Sequence, residues 1–166
     1  MSANTAPIQA AYSLTDHHGR RVTETDFSGK YQLIFFGFTN CGMVCPRALA
    51  KLSGVLEKLG PLGERLQPLY ITVDPERDTP DVMRAFLQEK YPAFLGLTGT
   101  PEECESARVA FKVFAAREVN PDRPDDYAVP HSALTYVLDE KGQYVTHFLD
   151  AADADRMLSR LRSILE

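Results

Sequence analysis

A mixed α/β domain is the fold class that this 166-residue chain predicts, and three observations carry the expectation. Short apolar runs, L-I-F-F-G-F at 33–38 and L-Y-I-T-V at 69–73, alternate with stretches whose apolar residues recur at helical spacing. The runs lack polar alternation, the habit of strands buried on both faces of a parallel sheet. Proline and glycine mark the changes from one period to the other, as at Gly60-Pro61 and Thr79-Pro80.

In order along the chain, Tyr12–Leu14 and Arg21–Thr23 flank the turn signal D-H-H-G and predict a hairpin. Leu33–Phe38 is a buried strand. A helix follows with Pro46 in its first turn, where the missing N–H is harmless, and with Leu49, Leu52, Leu56 and Leu59 on one face. Gly60 and Pro61 end it. Leu69–Val73 is a second buried strand, and D-P-E-R-D-T at 74–79 is a loop. Thr79 caps the next helix, with Pro80 at its first position and Met83, Phe86, Leu87 and Tyr91 inward. Phe94–Thr98 reads as a short strand. Thr100 and Glu103 form a capping box for a helix that buries Cys104, Ala107, Phe111 and Phe114. Residues 118–131 read as a polar, proline-rich loop. Leu134–Leu138 and Tyr144–Phe148 form a hairpin around D-E-K-G, and a last helix covers Ala154–Leu165, with Met157, Leu158, Leu161 and Leu165 inward. This order is a thioredoxin-like arrangement with an N-terminal β-hairpin extension, in one domain over residues 1–166 whose first eleven residues are expected to be flexible.

Composition narrows the function classes. An apolar fraction of 44% and a charged fraction of 25% are ordinary for a globular domain. The net charge of −5, with scattered Lys and Arg, argues against a nucleic-acid surface. No apolar run approaches the roughly 20 residues of a membrane span, and the opening M-S-A-N-T-A-P-I-Q-A-A-Y has neither the basic start nor the apolar segment of a signal peptide. The chain is then either cytosolic or lacks an upstream anchor or signal.

Chemistry concentrates on T-N-C-G-M-V-C-P at 39–46, at the carboxyl end of a strand, where open α/β sheets place their sites. The chain has three cysteines, an odd count that fits one functional pair better than a disulfide framework. If helical, Cys41 and Cys45 share a face with Cα atoms roughly 6 Å apart, close enough for a disulfide or a shared ion. A helix N-terminus also favours thiolate. A metal clamp, a redox couple, a peroxidase nucleophile and a pair of core residues all satisfy that spacing. Among the histidines, His17 and His18 are expected to be solvated turn residues, and His147 to face solvent or cap a local group. His131 ends the long loop just before Leu134–Leu138, a point that a thioredoxin-like sheet sets beside the cysteine loop. Cys104 is expected in the core. Two thiolates and one imidazole suit Cu(I) or Zn(II); a structural zinc site wants four protein ligands, whereas three fit Cu(I) and leave room for a partner's ligand during transfer. Asp74 and Asp78 are expected to orient their loop through backbone hydrogen bonds.

Five blocks in order carry a resemblance: Y-S-L-T-D-H-H-G-R-R-V-T, D-F-S-G-K-Y, L-I-F-F-G-F-T-N-C-G-M-V-C-P, I-T-V-D-P-E-R-D-T-P and H-S-A-L-T-Y-V-L-D-E-K-G. Over roughly residues 12–165 the chain resembles the Sco/SenC family of thioredoxin-fold copper proteins. The resemblance implies that Cys41, Cys45 and His131 bind copper, as Cu(I) with Cu(II) as a second state. It implies a metallochaperone for the dinuclear copper site of cytochrome c oxidase. The partners it implies are the copper-bearing oxidase subunit and a thioredoxin-like reductant or another copper chaperone. It implies a place in the periplasm or on the outer face of the cytoplasmic membrane, where such proteins usually sit on an N-terminal anchor. Two departures from the family pattern stand out: Gly42 and Met43 stand where the proline and acid of C-P-D-V-C-P are usual, and Pro130 replaces an acid before the histidine. Losing that acid removes a candidate partner for the imidazole and alters copper affinity or thiol reactivity. Met43 is expected to be exposed or to fill a gap.

The alternative function is an enzymatic one: a thiol-disulfide oxidoreductase in which Cys41 attacks and Cys45 resolves, reducing the cysteines of a copper-site partner. The spacing is longer than the usual C-x-x-C, and Pro130 lies too far upstream of Tyr136 to match the cis-proline of such enzymes. Val44-Cys45-Pro46 is similar to the peroxidatic V-C-P of peroxiredoxins, but Gly42 and Phe38 stand where their activating threonine and proline would be.

Overall fold

The structure is a computed structural model and describes residues 11–37, 44–111, 118–120, 123–128, 134–149 and 153–166. Strands β1 (Ser13–Asp16) and β2 (Arg21–Thr23) form the expected hairpin, with Leu14 opposite Val22. The turn closes because the Asp16 carboxylate accepts the His18 and Arg20 N–H groups at 2.9 and 3.0 Å, and Gly19 takes the positive φ of 87° that side chains disfavour. Strand β3 (Tyr31–Gly37) is followed by α1 (Val44–Leu59), and a 3-10 turn at Gly60–Arg65 leads into β4 (Leu66–Thr72). Helix α2 (Pro80–Lys90), β5 (Leu95–Thr98) and α3 (Pro101–Ala110) continue the alternation. Thr79 Oγ1 caps α2 by accepting the Val82 N–H, and the Thr100/Glu103 box is formed in full, with both hydrogen bonds near 3 Å.

The stretch expected to be a loop at 118–131 contains strands β6 (Glu118–Asn120) and β7 (Arg123–Ala128), paired antiparallel as a ribbon separate from the main sheet. Its pattern shows no alternation to betray it. A ribbon held by backbone pairing needs no apolar face, and Pro124 inside it argues locally against a strand. The chain returns to the main sheet with β8 (Leu134–Leu138) and β9 (Tyr144–Leu149) and ends in α4 (Ala154–Leu165). Phe38 and Phe114, expected on a strand and a helix, lie outside the described residues.

The seven strands run in the order β2-β1-β5-β4-β3-β8-β9. Strands β3, β4 and β5 are parallel; β1, β8 and β9 join antiparallel. Side chains of β3 alternate between two cores, as strand geometry requires. Leu33 and Phe35 pack with Leu49 and Leu52 of α1, Met83 of α2, and Met157 and Leu161 of α4. Ile34 and Phe36 pack with Leu97, with Cys104, Ala107 and Phe111 at α3, and with Tyr136. Burial on both faces is why β3 and β4 read as unbroken apolar runs.

Candidate metal centre

The last residue of β3, Gly37, sits opposite Thr72 at the end of β4, and its carbonyl accepts the Val73 N–H at 2.8 Å. On its other side β3 pairs antiparallel with β8, Phe35 opposite Thr135, so the C-terminal end of β3 and the N-terminal end of β8 share one edge of the sheet. The segment leaving β3, 38–43, carries Cys41, and the segment entering β8, 129–133, carries His131. Both residues lie outside the described residues. Cys45 is the second residue of α1, so its backbone stands in the first helical turn. The structure thus brings the strand ends that flank both segments together.

The D-P-E-R-D-T loop leaves β4 at this edge and is held from below. Asp78 is fully buried, and its carboxylate accepts the Thr72 hydroxyl at 2.7 Å. The Thr98 hydroxyl, at the end of β5, donates to the Asp78 carbonyl at 2.6 Å. The Asp78 N–H donates to the Asp74 carbonyl at 3.0 Å, and the Asp74 carboxylate pairs with Arg77. The aspartates were expected to orient this loop through backbone hydrogen bonds; the Asp78 N–H and carbonyl do so, and the carboxylates add the Thr72 hydroxyl and the Arg77 guanidinium. Thr72 and Thr98 are the residues that sequence reasoning passed over. The signal was available: each is the hydroxyl-bearing last residue of a buried parallel strand.

Cys104 behaves as expected of a core residue. It is a free, buried thiol whose pKa is pushed up to about 12 by burial first and then by Glu103 and Asp78, with a Thr98 hydrogen bond pulling the other way. A thiol so rarely ionised is a poor nucleophile and a poor ligand. His147 is exposed, with its Nδ1 against the Tyr144 hydroxyl, as expected of a residue capping a local group. His18 is exposed, but His17 is not the solvated turn residue expected: α2 and β5 close over it. Among the described residues no cluster of His, Cys, Asp and Glu could hold a metal, and no helix is long and apolar enough to cross a membrane.

Comparison with known proteins bears on this edge. The family model described as SCO1/SenC matches residues 1–166. The chain is 41% identical over 143 residues to Protein sco1 of Schizosaccharomyces pombe, covering 85% of this chain and 54% of that protein, so it spans about half the length of that relative. It is 37% identical over 151 residues to the SCO2-like protein of Rickettsia felis, covering 90% and 74%. Among solved structures, the copper-bound ScoI of Arabidopsis thaliana superposes with a TM-score of 0.87 at 33% identity, covering 95% of this chain and 98% of that one. Yeast Sco1 with copper bound superposes with a TM-score of 0.85 at 35% identity, covering 95% and 88%. These structures share the thioredoxin-like fold, and the seven-stranded sheet with its N-terminal hairpin matches them.

Proposed function

This chain belongs to the SCO1/SenC family, and from that membership we propose that it binds one copper ion through Cys41, Cys45 and His131 and serves assembly of the dinuclear copper site of cytochrome c oxidase. Support comes from the copper held by the Arabidopsis and yeast relatives. The observation that carries the reading is the shared edge: β3 ends and β8 begins side by side, and the segments bearing Cys41 and His131 depart from there, the first leading into Cys45 at the start of α1. Thiolate and imidazole donors match the preference of Cu(I), and three donors leave a position through which a partner's ligand enters as one of this chain's leaves. The recipient is the copper-bearing oxidase subunit, met in the periplasm or on the outer face of the cytoplasmic membrane.

The second reading is thiol-disulfide exchange, and the place of Cys45 in the first turn of α1 favours it, because partial positive charge at a helix start stabilises thiolate. In that reaction the Cys41 thiolate attacks a partner disulfide and expels one partner thiolate. Cys45 then attacks the Cys41 sulfur of the mixed disulfide and expels the second partner thiolate, which leaves the partner dithiol reduced and Cys41–Cys45 oxidised.

An anaerobic Cu(I) titration of the reduced protein against a competing chelator separates the two. The expected result is one copper per chain, held about ten- to a hundredfold more weakly in His131→Ala and lost in Cys41→Ser/Cys45→Ser. No uptake beyond the chelator's grip would remove the copper reading and leave thiol exchange as the function.

A further inference from the structure

His17 stands in the D-H-H-G turn, yet only 4% of it is exposed. The ladder between β1 and β5 pairs Thr15 with Thr98 and Asp16 with Leu97, and the next position on β5 is Gly96. There the His17 side chain takes over from the backbone: its Nδ1 accepts the Gly96 N–H at 3.1 Å, joining residues 79 apart in sequence. The fit is close. A Cβ on Gly96 would stand 2.8 Å from Leu87 Cδ1, 3.0 Å from Met83 Cε and 3.2 Å from His17 Nδ1.

An imidazole nitrogen accepts only when it carries no proton, so this bond requires the neutral ring with its hydrogen on Nε2. A second proton would go to Nδ1 and aim an N–H at the Gly96 N–H. We propose that His17 is an acid-released latch that closes the N-terminal hairpin onto β5 when neutral and lets it open when protonated. The inference stands apart from the copper reading.

The surroundings favour the closed form near neutrality. Burial is the largest influence and lowers the pKa of His17; His18 in the same turn and Arg84 on α2 act in the same direction, and Asp16 opposes them. Asp16 is already committed to the His18 and Arg20 amides and to the Arg20 guanidinium at 3.6 Å. At the Gly96 contact α2 also brings Met83 and Leu87, and from β5 the segment L-G-L-T brings no titratable side chain. With the folded pKa below the unfolded value of about 6.5, the latch holds fully above that pH, and its stabilisation drains away as pH falls from there toward the folded pKa.

The test is amide hydrogen exchange at Gly96 followed by NMR from about pH 7.5 to about pH 5, corrected for intrinsic rates, with β3 amides as internal reference. The expected result is a loss of about tenfold or more in Gly96 protection while β3 keeps its own, and no such loss in His17→Asn, whose Oδ1 replaces Nδ1 as an acceptor that does not titrate in this range. Equal loss in His17→Asn, or β3 failing in parallel, overturns the latch. If that variant does not fold, the ring nitrogen shifts of the wild type decide. An Nδ1 bearing its proton at pH about 7.5 refutes the proposal, and an unprotonated Nδ1 that gains a proton as Gly96 loses protection supports it.

Discussion

Gln32 is a polar side chain with no exposed surface, in the strand at the middle of the fold. It is tolerated because both ends of its amide are used: Oε1 accepts the Tyr12 hydroxyl at 2.8 Å and Nε2 donates to the Glu24 carbonyl at 3.1 Å. Burial pushes the Tyr12 phenol well above its ordinary pKa, with Glu24 and Asp26 adding to the effect, so it remains a neutral donor at any physiological pH. Gln32→Leu strands the Tyr12 hydroxyl and the Glu24 carbonyl and is expected to remove about 3 kcal/mol in urea unfolding. Tyr12→Phe alone removes about 1–2 kcal/mol, and the double variant loses less than the sum, since each change deletes the other's partner. Additive losses would show that the two residues act separately. Residues are also where sequence reading was weakest. His17 looked solvated because D-H-H-G is a turn by every local sign, and what buries it, α2 and β5, begins some sixty residues downstream. Cys104 was legible because the helical period already placed it with Ala107 and Phe111.

At the scale of elements, the parts with strong local chemistry were read closely. The last helix was placed at Ala154–Leu165 and is found there, and the hairpin strand Arg21–Thr23 and the strand Leu134–Leu138 agree equally well. Thr100 illustrates why: its hydroxyl accepts the Glu103 N–H at 3.1 Å while Glu103 returns to the Thr100 N–H at 3.0 Å, a reciprocal pair written in four consecutive residues. Thr100→Ala is expected to lower stability by about 1 kcal/mol, read as a fall in the urea midpoint with unchanged slope; a null result would mean that water replaces the cap without loss. The ribbon of β6 and β7 was missed for the opposite reason. Glu118 pairs with Ala128 and Asn120 with Arg123 through backbone groups that every sequence shares.

At the scale of the molecule, β3 is shielded by β4 and β8 at its sides and by a core on each face, whereas β9 and β2 are the sheet's outermost strands. Native-state hydrogen exchange is therefore expected to reach β3 amides only through global unfolding and β9 amides through smaller openings. Equal rates in the two strands would contradict the topology. The candidate centre was legible only in part. Cys41, Cys45 and His131 were named from motif and order, and Cys45 is found in the first turn of α1. The adjacency of β3 and β8 was expected from the thioredoxin-like element order rather than from the motif; it is found, and it arises from a chain that crosses β4 and β5 before returning. That return imposes a timetable on a chain still being synthesised. Both thiols emerge roughly ninety residues before the imidazole, and the strands that flank them meet only once β8 is complete. On the proposed ligand set, a soft metal captured early would find sulfur first and nitrogen last, and the imidazole would report finished folding: a chain stopped before Leu134 would carry His131 with no paired β8 strand to set it beside the thiols.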